Sequence, residues 1–74
     1  MTRLPVVTAR QLVKALKKIG FEERHQRGSH LRLFNPSTLR QTTVPMHGGT
    51  LKRGTLHTTL KQADLSVEAL QELL

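Results

Sequence analysis

Residues 26–34 read QRGSHLRLF and place a histidine among two arginines, directly after a glycine and a serine. A histidine can exchange a proton near neutral pH, because the free imidazole has a pKa of about 6.5. Arginine side chains beside it can bind a phosphate group and offset its charge. His30, with Arg27 and Arg32 nearby, therefore indicates a site that could perform acid–base chemistry on a phosphate ester.

RNA is a suitable substrate for such a site, because its 2′-hydroxyl group is an internal nucleophile. Cleavage then needs a base for that hydroxyl, an acid for the leaving 5′-oxygen and cations for the charge that develops on phosphorus. His30 is the candidate base, with Arg32, Arg27 or Lys52 as charge stabilisers. The alternative is an exposed histidine without a chemical role, and spacing alone leaves both interpretations open.

Two other chemistries have less support from the residues. The chain has four histidines but no cysteine; no histidine pair has close helical ligand spacing, and no acidic residue lies near the predicted site. We therefore expect no metal ion and no cofactor. Ser29 is a poor candidate for a covalent nucleophile, because no Asp is placed to orient His30 as a triad requires.

Size and charge limit the class of partner. The 74 residues include 12 Lys and Arg against five Asp and Glu, a net charge of +7. One small domain, residues 1–74, buries roughly 60% of its unfolded surface. Chemistry should therefore lie on an open face and act on a large polyanion, for which nucleic acid is the best candidate. The absence of cysteine, signal peptide and membrane-spanning stretch predicts a cytoplasmic protein without membrane association.

Three segments carry helical signals. The first begins at a capping box of Thr8 and Gln11 and stops at Gly20; the second runs from about residue 52 to 63; Ser66 caps the third. Their apolar residues recur at helical spacing and form the predicted core faces: Leu12, Ala15, Leu16 and Ile19, then Leu56, Leu60 and Ala63, and finally Val67, Leu70, Leu73 and Leu74.

Three strands are predicted between the first two helices, at residues 21–27, 30–34 and 41–46. Gly28 and Ser29 make a tight turn between the first two strands, and Pro45 ends the third strand or lies at an edge. The order α-β-β-β-α-α favours an α+β fold, in which a three-stranded antiparallel sheet carries its helices on one face. Leu31 and Leu33 must face those helices, so alternation along the second strand assigns its other residues to the open face: His30, Arg32 and Phe34.

The expected pairing of the second and third strands brings another histidine toward the first. In that register His47 lies opposite Gly28, one diagonal step or roughly 7–8 Å from His30. His47 and Arg32 are therefore possible accessory catalytic residues. The pairs that define the register are Phe34 with Gln41 and Leu31 with Val44.

Lys52 and Arg53 stand where the second helix is predicted to begin. Free backbone N–H groups beside two cations would form a binding place for phosphate; the alternative is an ordinary solvated helix start. Phe34 is the one aromatic residue available for stacking, since Phe21 is predicted to be in the core. This favours recognition of the RNA backbone and shape over base stacking.

Short motifs follow one another from the first helix to the last: GF at 20–21, QRGSH at 26–30, VP and HG at 44–45 and 47–48, and GTL at 54–56 followed by LKQA at 60–63. In this order the chain resembles the HicA family of bacterial toxins, small mRNA interferases with a double-stranded-RNA-binding-domain-like fold. Two departures from the family pattern are Phe34, where a basic or polar residue is more usual, and residues 64–66, where a Gly is expected.

The resemblance implies an endoribonuclease toxin of a type II toxin–antitoxin system that cleaves mRNA with the histidine of Gly-Ser-His, here His30. It also implies a HicB-type antitoxin protein that covers the active face. A non-catalytic double-stranded-RNA-binding-like module of the same fold is the alternative. The residues expected to bind RNA are Arg27, Gly28, Ser29, Lys52 and Arg53.

Overall fold

The structure is a computed structural model that describes residues 3–74, and it has the predicted order of elements. The sheet is antiparallel, with its strands in the order β1-β2-β3. The α+β fold is therefore confirmed. The elements are α1 (Ala9–Lys18), β1 (Glu22–Arg27), β2 (His30–Asn35), β3 (Arg40–Pro45), α2 (Arg53–Ala63) and α3 (Val67–Leu73).

Helix α1 begins and ends as the sequence predicts. The Thr8 hydroxyl accepts from the Gln11 N–H, and the Gln11 side chain accepts from the Thr8 N–H, which completes the capping box. Gly20 follows the helix at φ +103°, a conformation that favours glycine. The prediction for Ile19 was wrong: it is the C-cap residue, 36% exposed, because the helix stops before its side chain can turn toward the core.

Helices α2 and α3 are joined by a tight turn at Asp64. This residue takes the left-handed conformation (φ 57°, ψ 43°) that glycine usually provides at a helix end. The turn therefore forms without the glycine that the resemblance implies at this position. Ser66 then caps α3 by accepting from the Ala69 N–H, as predicted. Leu74, a predicted core residue, lies after the end of α3 and is 51% exposed.

The predicted register between β2 and β3 is confirmed, with Phe34 opposite Gln41 and Leu31 opposite Val44. Strand β3 ends at Pro45 on an edge of the sheet. His47 therefore lies outside the ladder, and its predicted pairing with Gly28 is wrong. The physical reason is that Gly28 lies in the β1–β2 turn at φ +60° and not in a strand, so the contact between the two segments ends with the hydrogen bond from the Met46 N–H to the Ser29 carbonyl.

The core lies between the inner face of the sheet and the helices. Its buried polar side chains all have hydrogen-bond partners within residues 3–74. Asn35, for example, donates from Nδ2 to the Ile19 carbonyl and accepts from the Ser37 N–H, so it ties α1 to the turn after β2. No helix in this part of the chain is long and apolar enough to cross a membrane. The buried apolar residues are Val7, Ala9, Leu12, Val13, Ala15, Leu16, Phe21, Leu31, Leu33, Val44, Leu56, Leu60, Ala63 and Leu70.

Candidate active site on the open sheet face

Strand β2 presents its polar residues on the face of the sheet opposite the helices, as predicted. His30 and Arg32 are exposed, while Leu31 and Leu33 are buried in the core. Phe34 is half-buried. The alternation arises because successive side chains of a strand point to opposite faces and one face must cover the core.

Strand β1 adds a second histidine to this face through a β-bulge. Glu23 pairs with Leu33, which faces the core, so strict alternation would direct His25 inward as well. The register shifts between Glu23 and His25, with Arg24 as the extra residue, and His25 then pairs with Arg32. One extra residue in a strand moves the side chain of each following residue to the opposite face of the sheet. The bulge therefore explains why Arg27, the partner of His30, also lies on the open face.

These residues line one groove, which we call the strand groove. It has a volume of about 670 Å³. Two of its residues are potential proton donors or acceptors, and two are permanent cations that can bind phosphate. His25 was not among the predicted site residues, because no local sequence signal marks the bulge. The lining residues are His25, Arg27, His30, Arg32 and Thr43.

A second groove, the loop groove, has a volume of about 440 Å³ and adjoins the first at His30. It places His47 and Lys52 beside His30, so these three predicted residues do come together, although His47 arrives from the loop and not from the ladder. The lining residues are His30, Pro45, His47, Gly48, Thr50, Leu51, Lys52 and Thr55.

The remaining predicted RNA-binding residues lie outside both grooves. Gly28 and Ser29 form the β1–β2 turn, where Gly28 has φ +60° and is exposed. The Ser29 carbonyl accepts from the Met46 N–H, which holds the turn against the end of β3. Arg53 is exposed at the start of α2. These three residues can reach only the parts of a long ligand that extend past the grooves.

The cations of the grooves are not neutralised by the protein. Within residues 3–74 the salt bridges join Lys17 to Glu23, Arg24 to Glu22 and Arg40 to Asp64, and none involves Arg27, Arg32 or Lys52. Three positive charges therefore remain available to an anionic ligand around His30. In the same part of the chain, no group of three or more His, Asp or Glu side chains is placed to hold a metal ion.

Phe34 is not free for base stacking on both sides. The guanidinium group of Arg24 lies over its ring, 5.1 Å from the centroid, in the geometry of a cation–π contact. The resemblance implies a polar or basic side chain at position 34. Here that end of the open sheet face carries an aromatic ring instead, with the guanidinium group of Arg24 over it.

Comparison with known proteins identifies a family for most of the chain. A family model described as the HicA toxin of bacterial toxin–antitoxin systems matches residues 9–65, which extend from the start of α1 to the residue that follows the Asp64 turn. The matched region contains all of the residues of the strand groove and the loop groove. A search of curated proteins found no match.

Proposed function

The chain belongs to the HicA family of toxins of bacterial toxin–antitoxin systems, and on this premise we propose that it is a metal-independent endoribonuclease with His30 as general base. The position of His30 carries the proposal. It is exposed on the open sheet face, where the strand groove meets the loop groove. The cations of both grooves surround it, so a phosphodiester can approach the imidazole.

The proposed reaction uses the RNA's own 2′-hydroxyl group. His30 accepts the hydroxyl proton, the 2′-oxygen attacks phosphorus, and the bond to the 5′-oxygen breaks. Arg27 and Arg32, which lie next to His30 in the strand groove, stabilise the extra negative charge on the phosphoryl oxygens. The products are a 2′,3′-cyclic phosphate and a free 5′-hydroxyl group.

The other predicted residues would bind the RNA on either side of the reacting phosphate. Lys52 contributes a charge in the loop groove next to the uncapped start of α2, where backbone N–H groups favour an anion. Arg53, Gly28 and Ser29 lie beyond the grooves and contact neighbouring nucleotides of the mRNA. The site recognises backbone and shape, since Arg24 already occupies one face of the Phe34 ring.

A toxin of a toxin–antitoxin pair has an antitoxin as its partner protein. We propose an antitoxin of the HicB type that covers the open face. The unneutralised cations of the two grooves support this choice, because an inhibitor with acidic groups there would be electrostatically complementary and would exclude RNA.

The test compares wild-type protein with His30→Ala on RNA in the presence of EDTA. Loss of the base should lower cleavage by roughly 10²–10⁴, while the free energy of unfolding changes by no more than about 0.5 kcal/mol, because His30 is exposed. RNA binding should persist through the remaining cations. His57→Ala is the matched control, since His57 is an exposed histidine on α2 outside both grooves.

Several outcomes would contradict the proposal. They are a fully active His30→Ala variant, 5′-phosphate products, cleavage of RNA that carries a 2′-deoxyribose at the reacting position, or activity that requires a divalent ion. RNA binding by the wild-type protein without any cleavage would instead identify a non-catalytic RNA-binding module.

A further inference from the structure

The histidines and arginines of the strand groove alternate around a four-sided arrangement. His25 pairs with Arg32 across the two strands, and Arg27 pairs with His30. The two histidines therefore occupy one diagonal, and the two arginines occupy the other. Diagonal neighbours on one face of an antiparallel pair lie roughly 7–8 Å apart. Both histidines line the strand groove, whose volume of about 670 Å³ is large enough for a phosphate group.

The chemistry of RNA cleavage calls for this kind of placement. The attacking 2′-oxygen and the leaving 5′-oxygen lie on opposite sides of phosphorus, roughly in line. A base for the first and an acid for the second must therefore stand on opposite sides of the phosphate. Cations are most useful at the remaining sides, where they face the oxygens that gain charge.

We infer that His25 is a second catalytic residue, the general acid that protonates the leaving 5′-oxygen. This inference rests on the proposed function, in which His30 is the base. As the 2′-oxygen–phosphorus bond forms, the 2′-hydroxyl proton passes to His30. As the phosphorus–5′-oxygen bond breaks, His25 gives its proton to the 5′-oxygen, and Arg27 and Arg32 hold the phosphoryl oxygens.

The environment of His25 suits this role. The residue is exposed and lines the strand groove. Its imidazole forms no hydrogen bond or salt bridge with another part of residues 3–74, so both ring nitrogens are available to a ligand. His25 lies on the open face only because of the β-bulge at Arg24 in edge strand β1. The bulge therefore supplies the proposed general acid.

His47 is a weaker candidate for the acid. It shares only the loop groove with His30, and the single cation among the residues that line that groove is Lys52. A phosphate held between Arg27 and Arg32 has His25 across from His30, whereas His47 lies past the end of β3, outside the ladder.

The experiment uses a leaving group that needs no acid. His25→Ala and His25→Asn are compared with the wild type on ordinary RNA and on RNA with sulfur in place of the leaving 5′-oxygen at the cleavage position. On ordinary RNA we expect cleavage to fall by roughly 10²–10⁴. On the sulfur substrate both variants should stay within about tenfold of the wild type, because a thiolate leaves without a proton. His30→Ala should be slow on both substrates.

The inference would be overturned by His25 variants that cleave ordinary RNA as the wild type does, or by variants that are equally impaired on both substrates. Unfolding of both variants would also overturn it, since His25 would then have a structural role. If the wild type and His25→Ala both cleave RNA but His30→Ala does not, only the role of His25 as general acid is rejected. Wild-type protein without cleavage rejects the proposed function itself. His57→Ala serves again as the histidine control.

Discussion

Leu39 shows how single residues in this chain carry local backbone strain. It lies in the turn between β2 and β3 at φ 63°, with its side chain 74% exposed. A left-handed conformation costs an L-residue roughly 1–2 kcal/mol, whereas Asn tolerates it because its short side chain can hydrogen-bond locally. The turn is anchored at its start by Asn35, whose buried side chain accepts from two backbone N–H groups, so the strained geometry persists.

Leu39→Asn should therefore raise the free energy of unfolding by about 0.5–1 kcal/mol, since strain is relieved and little apolar burial is lost. Urea denaturation of the purified protein measures the change. Leu39→Ala is the matched control, because it removes the same exposed side chain but keeps a residue without local hydrogen bonds. Equal stability of the Asn and Ala variants would show that the backbone at Leu39 is not strained.

At the scale of elements, α2 differs from the other two helices in its first turn. Thr8 and Ser66 cap α1 and α3 with side-chain oxygens, but the N-cap of α2 is Lys52, whose side chain makes no capping bond. A lysine at this position leaves the backbone N–H groups uncapped and adds a cation beside them. The missing cap makes α2 less stable, but the free N–H groups and the lysine charge favour binding of an anion at the start of this helix.

Lys52→Ser should separate these two properties. The serine hydroxyl can cap α2 and raise the free energy of unfolding by about 0.5–1 kcal/mol, while RNA binding weakens because the loop groove loses its cation. Single-turnover cleavage at saturating RNA should stay within about tenfold of the wild type. Thermal unfolding and RNA titration measure the two effects.

Lys14→Ser is the control for Lys52→Ser. It removes the same charge from an exposed position within α1, away from both grooves, where serine is a poorer helix former than lysine. It should not stabilise the protein and should weaken RNA binding less. If both variants respond alike, the effect at Lys52 is only one of net charge.

The molecule is a thin plate of 33 × 28 × 17 Å. The helices lie on one side of the sheet and the strand groove on the other, while the loop groove lies between the end of the sheet and the start of α2. Such a shape has little depth for a pocket, and the chain carries a net charge of +7. Electrostatic attraction should therefore contribute a large share of RNA affinity. Arg27, Arg32, Lys52 and Arg53 are the four cations closest to the proposed path of the backbone.

RNA affinity should fall with salt with a log–log slope between about −3 and −6, since each phosphate contact on a single strand contributes roughly −0.7. Arg27→Ala combined with Arg32→Ala should make the slope shallower by about 1.4. The pair Lys14→Ala and Lys61→Ala, on helices away from the grooves, removes the same charge and should change the slope less. A slope near zero for the wild type would rule out electrostatic binding of RNA by this face.

The amino-acid sequence by itself determined the order of elements, the caps of α1 and α3 and the open face of β2. These follow from local chemistry: Thr8 and Gln11 satisfy each other's backbone, and Leu31 and Leu33 define the buried side of their strand. The β2–β3 register was predictable as well, because buried residues on neighbouring strands must coincide. The resemblance to a family, and not the spacing, singled out His30.

Only the tertiary structure decided which other residues join His30. Period-two alternation from Glu23 puts His25 on the wrong face, and the bulge at Arg24 reverses it. Likewise His47 leaves the ladder at Pro45 and reaches His30 through the loop groove. Both outcomes depend on how edge strands fit against β2. The sequence of β1 is polar throughout and does not mark which of its side chains face the helices. A shift of one residue in the pairing exchanges the two faces.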